Sequence, residues 1–291
     1  MNANNNSKGI VLIIIAMSLF AMQDSLIKFI FEKAALYEIF FGRYFVAALL
    51  LFCFIKYKNE KVSLKTYYPV LTFVRVVLHF LAFSAFFISL TYMPLATANA
   101  LFFSCPFFVS IFAKFFLKEF IGIRRWSAIA FGFMGVYIVL NPNFENFEYR
   151  NLLPVLCAFC YAASMVTLRS FDKSVSSAIL YLYSASAAAF GAILLASTTV
   201  DFSPIQSFKD GLLICSMAIS GGFGVIFLMY AFRNAPAAVL APFSYFGIIT
   251  AFCFGWFIFG EFPIDTLFPG VFLIIFSGLT ILWREQRQKN R

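Results

Sequence analysis

The sequence predicts an all-α membrane protein whose ten transmembrane helices form two five-helix inverted-topology repeats (5+5). Three observations support this prediction. Apolar residues make up 62% of the chain and charged residues only 12%, a composition far from that of soluble domains. Apolar runs long enough to cross a bilayer core, about 20 residues each, recur along the whole chain. The two halves of the chain also share landmarks at a constant offset.

The apolar runs follow one another with short connections, which excludes a soluble domain between them. We expect the first run to be a permanent helix, because the polar segment QDSLIK follows it where a signal peptide would have small residues. The runs are continuously apolar, unlike the alternating strands of about ten residues in a membrane β-barrel. The predicted spans are residues 9–29, 37–56, 68–92, 94–117, 124–141, 151–170, 176–198, 211–232, 236–260 and 265–283.

The basic residues are distributed unequally between the two sets of predicted loops. If the N-terminus is cytoplasmic, the loops and termini on that side carry fifteen Lys and Arg residues, and the opposite loops carry four. This asymmetry follows the positive-inside rule and predicts that both termini are cytoplasmic. The net charge of +9 is therefore interpreted as contact with the anionic lipid bilayer; no nucleic acid is expected as a partner.

An internal repeat relates the two halves of the chain. The spacing from Pro94 to Glu119 is identical to the spacing from Pro236 to Glu261, so one constant offset superimposes both landmarks. We therefore predict one five-helix repeat in residues 1–142 and a second in residues 143–291. An odd number of spans per repeat inverts the second copy, and inverted repeats are typical of secondary transporters with a site near the midplane.

Four ionisable residues within the spans are the main candidates for substrate binding. Asp24 and Arg43 are predicted at similar depth in the outer half of their spans, where a lone charge is costly and charged groups usually face the bundle interior. Arg75 and His79 are four residues apart and share one face of the third span. Structural alternatives remain open: an Asp24 to Lys28 pair, an Asp24 to Arg43 pair that only supports packing, or Arg75 extending to the inner surface below a buried His79.

Uncharged side chains could complete such a site. We expect Asn99, Ser244 and Tyr245 to offer hydrogen bonds, and Tyr161 and Tyr230 to add aromatic surface with a polar tip. The repeat offset places Gly221 opposite His79, which allows close helix approach or contact with a ligand. Glu119 and Glu261 end matching helices, so we predict that they pair with basic or backbone groups and do not bind substrate.

The chain offers little for catalysis or metal binding. It has one histidine and six cysteines, and all the cysteines fall in apolar spans, where they are predicted to act as small apolar residues. We expect no catalytic residues, no metal and no cofactor. A membrane enzyme acting on lipids would need a metal site, paired carboxylates or an activated nucleophile, and a channel would need a selectivity ring; neither pattern is evident.

The landmark residues also resemble a known family. The repeat, the Pro94 to Glu119 interval and the following segment RRWSAIAFGFMGVYIVL are similar to EamA-type members of the drug/metabolite transporter (DMT) superfamily. The segments QDSLIKF, FFGRYF, FVRVVL and APFSYF resemble the set that includes bacterial S-adenosylmethionine and riboflavin uptake carriers. The resemblance covers essentially the whole chain.

The resemblance implies a secondary active transporter of the bacterial inner membrane. Such a carrier would move a small polar, zwitterionic or amphipathic organic metabolite by alternating access, as the two halves rock about a central cavity. An exporter of drugs or amino acids with the same fold is the main alternative. Proton coupling and metabolite exchange both remain open, and the sequence does not specify an oligomeric state.

Overall fold

A computed structural model describes residues 3–31, 36–58, 68–116, 118, 122–140, 148–168, 177–198, 207–235 and 237–289. These residues form helices and contain no strand. One short 3₁₀ turn, Tyr149–Leu152, precedes the seventh helix. The helices are α1 (Ala3–Ile30), α2 (Leu36–Tyr57), α3 (Pro69–Ser89), α4 (Leu95–Phe102), α5 (Cys105–Phe116), α6 (Ile123–Leu140), α7 (Leu153–Leu168), α8 (Ser177–Thr198), α9 (Phe208–Asn234), α10 (Ala237–Ser244), α11 (Phe246–Phe259), α12 (Ile264–Leu267) and α13 (Gly270–Lys289).

The helices have the length and apolarity of membrane spans. Among the described residues, six helical segments are long and apolar enough to cross a bilayer, and four further apolar helices are shorter. Large apolar side chains such as Val70 and Phe257, 75% and 76% exposed, cover the outer surface, as expected for contact with lipid. The predicted class, an all-α membrane protein, is therefore confirmed for the described part of the chain. The division into two inverted repeats stays a prediction.

Local sequence signals determine where several helices begin and end. Pro69 occupies the first turn of α3, where its missing N–H leaves no hydrogen bond unmade. Ser207 caps α9 by accepting a hydrogen bond from the backbone N–H of Lys209 at 3.3 Å. Gly260 ends α11 with a left-handed φ of 67°, a conformation that glycine adopts without a steric penalty.

Two predicted spans are interrupted near their middle. The fourth consists of α4 and α5, separated at Phe103 and Ser104, and the ninth consists of α10 and α11, separated at Tyr245. Phe103 and Tyr245 occupy equivalent positions, because the offset that relates the two halves of the sequence superimposes one on the other. Their rings stack on each other, with centroids 4.8 Å apart and planes inclined by 28°. The two interruptions therefore meet inside the bundle.

Helices from the first half of the chain pack mainly against helices from the second half. The main pairs are α1 with α9, α3 with α7, α2 with α8, and α6 with α13. Small residues allow close approach at several crossings. An added Cβ at Gly9 would meet the Cβ of Ala235 at 2.6 Å, and one at Gly135 would meet the carbonyl oxygen of Gly270 at 2.7 Å. The core is therefore an interface between the two halves.

Candidate functional site

The bundle encloses a cavity of about 800 Å³. Its walls come from the helices that bring the two halves together, including α1, α2, α3, α4, α7, α8 and α9. A volume of this size lies within the range of pockets for small organic ligands, about 300–1,000 Å³. The cavity is therefore the candidate site of the molecule.

The structure brings most of the predicted site residues together. Arg75 and Tyr245 are not part of the cavity wall. The remaining predicted residues line one continuous space, although each of them comes from a different helix. These lining residues are Asp24, Arg43, His79, Asn99, Tyr161, Tyr230 and Ser244.

The carboxylate of Asp24 is held by its neighbours on α1 and α4. Gln23 Nε2 donates a hydrogen bond to Asp24 Oδ1 at 3.1 Å, and both residues are buried. The side-chain amide of Asn99 lies beside the same carboxylate and donates to the carbonyl of Leu95 at 3.1 Å. Amide groups surround the acid, and no basic side chain is bonded to it in the described structure. The carboxylate keeps its capacity to bind a cation.

The guanidinium of Arg43 lies in an aromatic cage. Its Cζ atom is 4.5 Å from the ring centroid of Phe87, 4.8 Å from that of Phe83 and 5.3 Å from that of Tyr44. Cation–π contacts of this kind stabilise a guanidinium without using its N–H donors. The Nη1 atom is buried and has no hydrogen-bond partner in the described structure. Arg43 therefore lines the cavity and keeps one buried donor nitrogen without a partner.

Asp24 and Arg43 do not form an ion pair. Both side chains are described, both line the cavity, and each lies within electrostatic reach of the other. No contact between their charged atoms qualifies as a salt bridge. Two opposite charges that are buried but not paired are costly. A ligand that carries both a cation and an anion would supply the missing partners.

Arg75 has a structural position behind the cavity wall. It is fully buried, so the alternative in which its side chain extends to the inner surface is wrong. Its Nη1 donates to the carbonyl oxygen of Ser164 at 2.6 Å and to Ser164 Oγ at 3.1 Å. Its Cζ lies 5.4 Å from the ring centroid of Tyr181. Arg75 thus connects α3 to α7 and supports a tyrosine that does line the cavity.

His79 lies one turn after Arg75 and faces the cavity. Its ring centroid is 4.8 Å from that of Phe83 and 6.2 Å from those of Tyr161 and Tyr181. The Nδ1 atom is buried without a hydrogen-bond partner in the described structure. The imidazole and three aromatic rings form one wall of the cavity.

Tyr245 lies behind the part of the cavity wall that Phe103 forms. Its ring stacks on Phe103, which does line the cavity. Its hydroxyl points at Gly278 of α13, where a Cβ atom would collide with it. The structure therefore places Tyr245 in the packing between α10, α11 and α13, while its neighbour Ser244 reaches the cavity.

A polar cluster lies one helical turn after Asp24, near the end of α1. Lys28, one turn after Asp24 on α1, forms an ion pair with Glu261 and donates to the carbonyl of Met93 at 2.8 Å. The other carboxylate oxygen of Glu261 accepts from the backbone N–H of Leu95 at 3.0 Å. The alternative pair between Asp24 and Lys28 is therefore wrong. Glu261 pairs with basic and backbone groups as predicted, whereas Glu119 lies outside the described residues.

The cavity extends in the other direction toward the end of α2. Lys58 lines it there, with its Nζ 4.4 Å from the ring centroid of Phe54 and 5.1 Å from that of Tyr230. Ala178, at the beginning of α8, belongs to the same region. By the predicted topology this is the cytoplasmic end, and the Lys28 cluster is at the outer end.

Several lining residues were not among the predicted site residues. Gln23, Tyr44, Phe83 and Tyr181 each contact a charged or polar group of the cavity. Gln23 and Tyr44 are sequence neighbours of Asp24 and Arg43, and that adjacency was a usable signal. Phe83 and Tyr181 have no such signal in the sequence. The chain contains 43 Phe and 13 Tyr residues, so a single aromatic residue does not stand out.

Within the described part of the chain, neither the cysteines nor other metal-ligating side chains form a second site. Cys157 and Cys160 are buried on α7 with free thiols. Across the described residues, no group of three or more His, Cys, Asp and Glu side chains is arranged to hold a metal ion.

Comparison with known proteins gives the class of this molecule. Residues 7–141 match the EamA-like transporter family. A crystal structure of another protein superimposes with a TM-score of 0.67 over 99% of this chain and 100% of that one, at 15% identity, so the fold is shared. The S-adenosylmethionine uptake transporter of Rickettsia conorii is 31% identical over 268 residues, covering 92% of this chain and 90% of the relative.

The chain belongs to the EamA-like transporter family, and it is a transporter rather than an enzyme. The S-adenosylmethionine uptake transporter of Rickettsia prowazekii is 28% identical, covering 97% of this chain and 95% of the relative. The riboflavin transporter of Rhizobium johnstonii is 29% identical, covering 79% of this chain and 75% of the relative. The family resemblance predicted from the sequence is confirmed.

Proposed function

We propose that this protein is a secondary active transporter that takes up a zwitterionic organic metabolite of the S-adenosylmethionine type across the bacterial inner membrane. One observation carries the proposal: Asp24 and Arg43 present opposite charges to a single cavity without neutralising each other. S-adenosylmethionine carries an α-carboxylate, an α-ammonium group and a sulfonium cation. Its carboxylate would bind Arg43, and a cationic group would bind Asp24.

Alternating access is the proposed mechanism. The Lys28 and Glu261 cluster joins α1 to the end of α11 and closes the cavity at the outer end. The cavity continues to Lys58 at the opposite end. The interrupted spans support the proposal, because transporters of this kind often bind substrate where broken helices from two inverted repeats meet. Asp24 and Lys28 share α1, and Leu95 and Asn99 share α4, so each helix carries a site residue one turn from the closing cluster.

The proposed topology has both termini in the cytoplasm. Its support is the excess of basic residues in one set of loops; residues 59–67 and 169–176, which carry several of them, lie outside the described residues. Labelling of single cysteines introduced at Lys8 and Lys209 tests the topology. An impermeant reagent applied outside intact cells should label position 209 and not position 8.

Uptake by purified protein in liposomes tests the function. We expect saturable uptake of radiolabelled S-adenosylmethionine, accelerated by unlabelled S-adenosylmethionine inside the vesicles. Unitary currents in a reconstituted bilayer, or no uptake above that of protein-free liposomes, would contradict the proposal.

Imposing a pH gradient or a substrate gradient in the same vesicles separates proton coupling from exchange. Inverted membrane vesicles expose the cytoplasmic face of the protein. Net transport that only accumulates substrate inside such vesicles would support the exporter alternative.

Riboflavin is the second candidate substrate, favoured by the similarity to the Rhizobium johnstonii transporter. Riboflavin is uncharged and has no carboxylate for Arg43. Uptake of riboflavin that is unaffected by Arg43→Ala would support this candidate and contradict a zwitterionic substrate.

A further inference from the structure

The aromatic wall of the cavity has its own binding capacity. His79, Tyr161, Tyr181 and Phe102 all line the cavity and come from α3, α7, α8 and α4. Phe102 and Tyr161 contact each other with ring centroids 5.5 Å apart, and Tyr161 lies 6.2 Å from His79. The rings form a continuous surface, since each packs against its neighbour and leaves one side to the cavity.

The unpartnered Nδ1 of His79 distinguishes this wall from ordinary apolar packing. The side chain of His79 is only 8% exposed, and its Nδ1 has no partner in the described structure. A buried nitrogen without a hydrogen bond destabilises the protein. Because His79 itself lines the cavity, a bound ligand is a candidate partner for this nitrogen. Stacking surface next to one polar contact is an arrangement that recognises a nitrogen-containing ring.

Phe83 connects this wall to Arg43. Its ring lies 4.8 Å from the Cζ of Arg43 and 4.8 Å from the ring centroid of His79. One aromatic side chain therefore separates the guanidinium from the imidazole. A ligand that contacts both Arg43 and His79 must therefore carry an anionic group and a ring that are close together in one molecule.

We propose that His79, Tyr161, Tyr181 and Phe102 form a subsite for a planar nitrogen heterocycle, which selects a purine-bearing amino acid over a plain one. The inference rests on the proposed function and deepens it by assigning the two ends of the substrate to two neighbouring parts of the cavity wall. Arg75 acts as a positioning residue here. It holds α7 through Ser164 and supports the ring of Tyr181, and it does not line the cavity.

Binding of four probes to purified protein tests the subsite. S-adenosylmethionine carries both ends, S-methylmethionine only the charged head, adenosine only the ring, and riboflavin a different heterocycle. Tyr161→Leu should weaken S-adenosylmethionine and adenosine about tenfold, the order of a lost stacking contact, and change S-methylmethionine less than about twofold. Tyr161→Phe, which keeps the ring, should preserve binding. Phe159→Leu is the matched control on α7, because Phe159 packs against Phe108 and Phe112 and not against the cavity.

The outcomes separate this inference from the proposed function. Equal weakening of all probes by Tyr161→Leu, or no weakening, overturns the subsite while S-adenosylmethionine binding by the unaltered protein still supports the function. Riboflavin binding that depends on Tyr161, with no binding of S-adenosylmethionine, supports the subsite and overturns the zwitterionic substrate. Failure of the unaltered protein to bind any of the four probes overturns both. His79→Ala should reproduce the selective loss, and His79→Gln, which keeps a hydrogen-bonding group, should restore part of it.

Discussion

Asp24 and Arg43 are the residues on which the proposed selectivity depends. Asp24→Asn keeps the shape of the side chain and removes its charge, and Arg43→Ala removes the guanidinium from its aromatic cage. A hydrogen bond to a charged group contributes about 1.5–3 kcal/mol, so we expect each variant to reduce uptake of S-adenosylmethionine at least about tenfold. Membrane insertion should be intact, as measured by the amount of folded protein in purified membranes.

Matched controls for these variants are available elsewhere on the chain. Asp265→Asn and Arg150→Ala change exposed charged residues outside the cavity and should leave uptake unchanged. Full uptake by both Asp24→Asn and Arg43→Ala would show that this pair serves packing alone, the alternative that the sequence left open.

Gly221 determines where the amide of Gln23 can lie. A Cβ at position 221 would occupy the place of the Gln23 side-chain oxygen. Because Gln23 is flexible, Gly221→Ala should displace the amide from Asp24 and leave the fold intact. We expect the apparent affinity for substrate to fall about tenfold, the loss of one hydrogen bond to a charged group, with little change in the melting temperature.

Gly191→Ala is the control for this substitution. An added Cβ there meets only the ring of Phe80 at 3.8 Å, which is an ordinary van der Waals contact. Unchanged transport kinetics in Gly221→Ala would contradict a positioning role for Gln23.

At the scale of elements, the crossing of α6 and α13 depends on two glycines. A Cβ at Gly135 would meet the carbonyl oxygen of Gly270 and the Cβ of Leu273, at 2.7 and 2.9 Å. These contacts involve the backbone, so no side-chain rotation relieves them. Gly135→Ala should therefore destabilise the protein by about 1–3 kcal/mol, the cost of an overpacked interior, measured as a lower melting temperature in detergent.

A double substitution tests whether the effect belongs to the crossing. Gly135→Ala with Gly270→Ala should cost less than the two single changes together, because helices already separated by one methyl group accommodate the other. Met134→Ala is the control, since Met134 of α6 is 52% exposed toward lipid. If Met134→Ala destabilises the protein equally, the loss of stability belongs to α6 itself. That result would contradict a specific role for the contact between α6 and α13.

At the scale of the whole molecule, the Lys28 and Glu261 pair should control access from outside. A cysteine at the cavity residue Ala21, in a background without the native cysteines, serves as the reporter. Removing the pair with Lys28→Gln should increase labelling of this cysteine by an impermeant maleimide applied outside, because the outer closure loses its main polar contacts.

Charge reversal distinguishes a specific closure from general loosening. Lys28→Glu alone should increase outside labelling, and Lys28→Glu with Glu261→Lys should return it toward the original level. Lys209→Gln removes an exposed basic residue from α9 and should have no effect. If labelling in the Lys28→Glu, Glu261→Lys double variant stays above that of the unaltered protein, a closure based on this ion pair is contradicted.

The sequence alone determined the class of the protein and several polar members of the candidate site. Membrane spans are visible locally, because each needs about 20 consecutive apolar residues. Buried polar residues stand out for the same reason: a charge within such a span is costly and therefore rare. Asp24, Arg43, His79 and Asn99 were predicted on this basis, and the structure places all four around one cavity.

Only the tertiary structure decided which partner each of these side chains meets. Lys28 pairs with Glu261, 233 residues away, rather than with Asp24 one turn away on its own helix. Arg75 and His79 share a face of α3, yet Arg75 bonds to α7 and His79 reaches the cavity. Sequence spacing gives the face of a helix on which a residue lies. The packing of the neighbouring helices decides what that face contacts, and this depends on residues far apart in the chain.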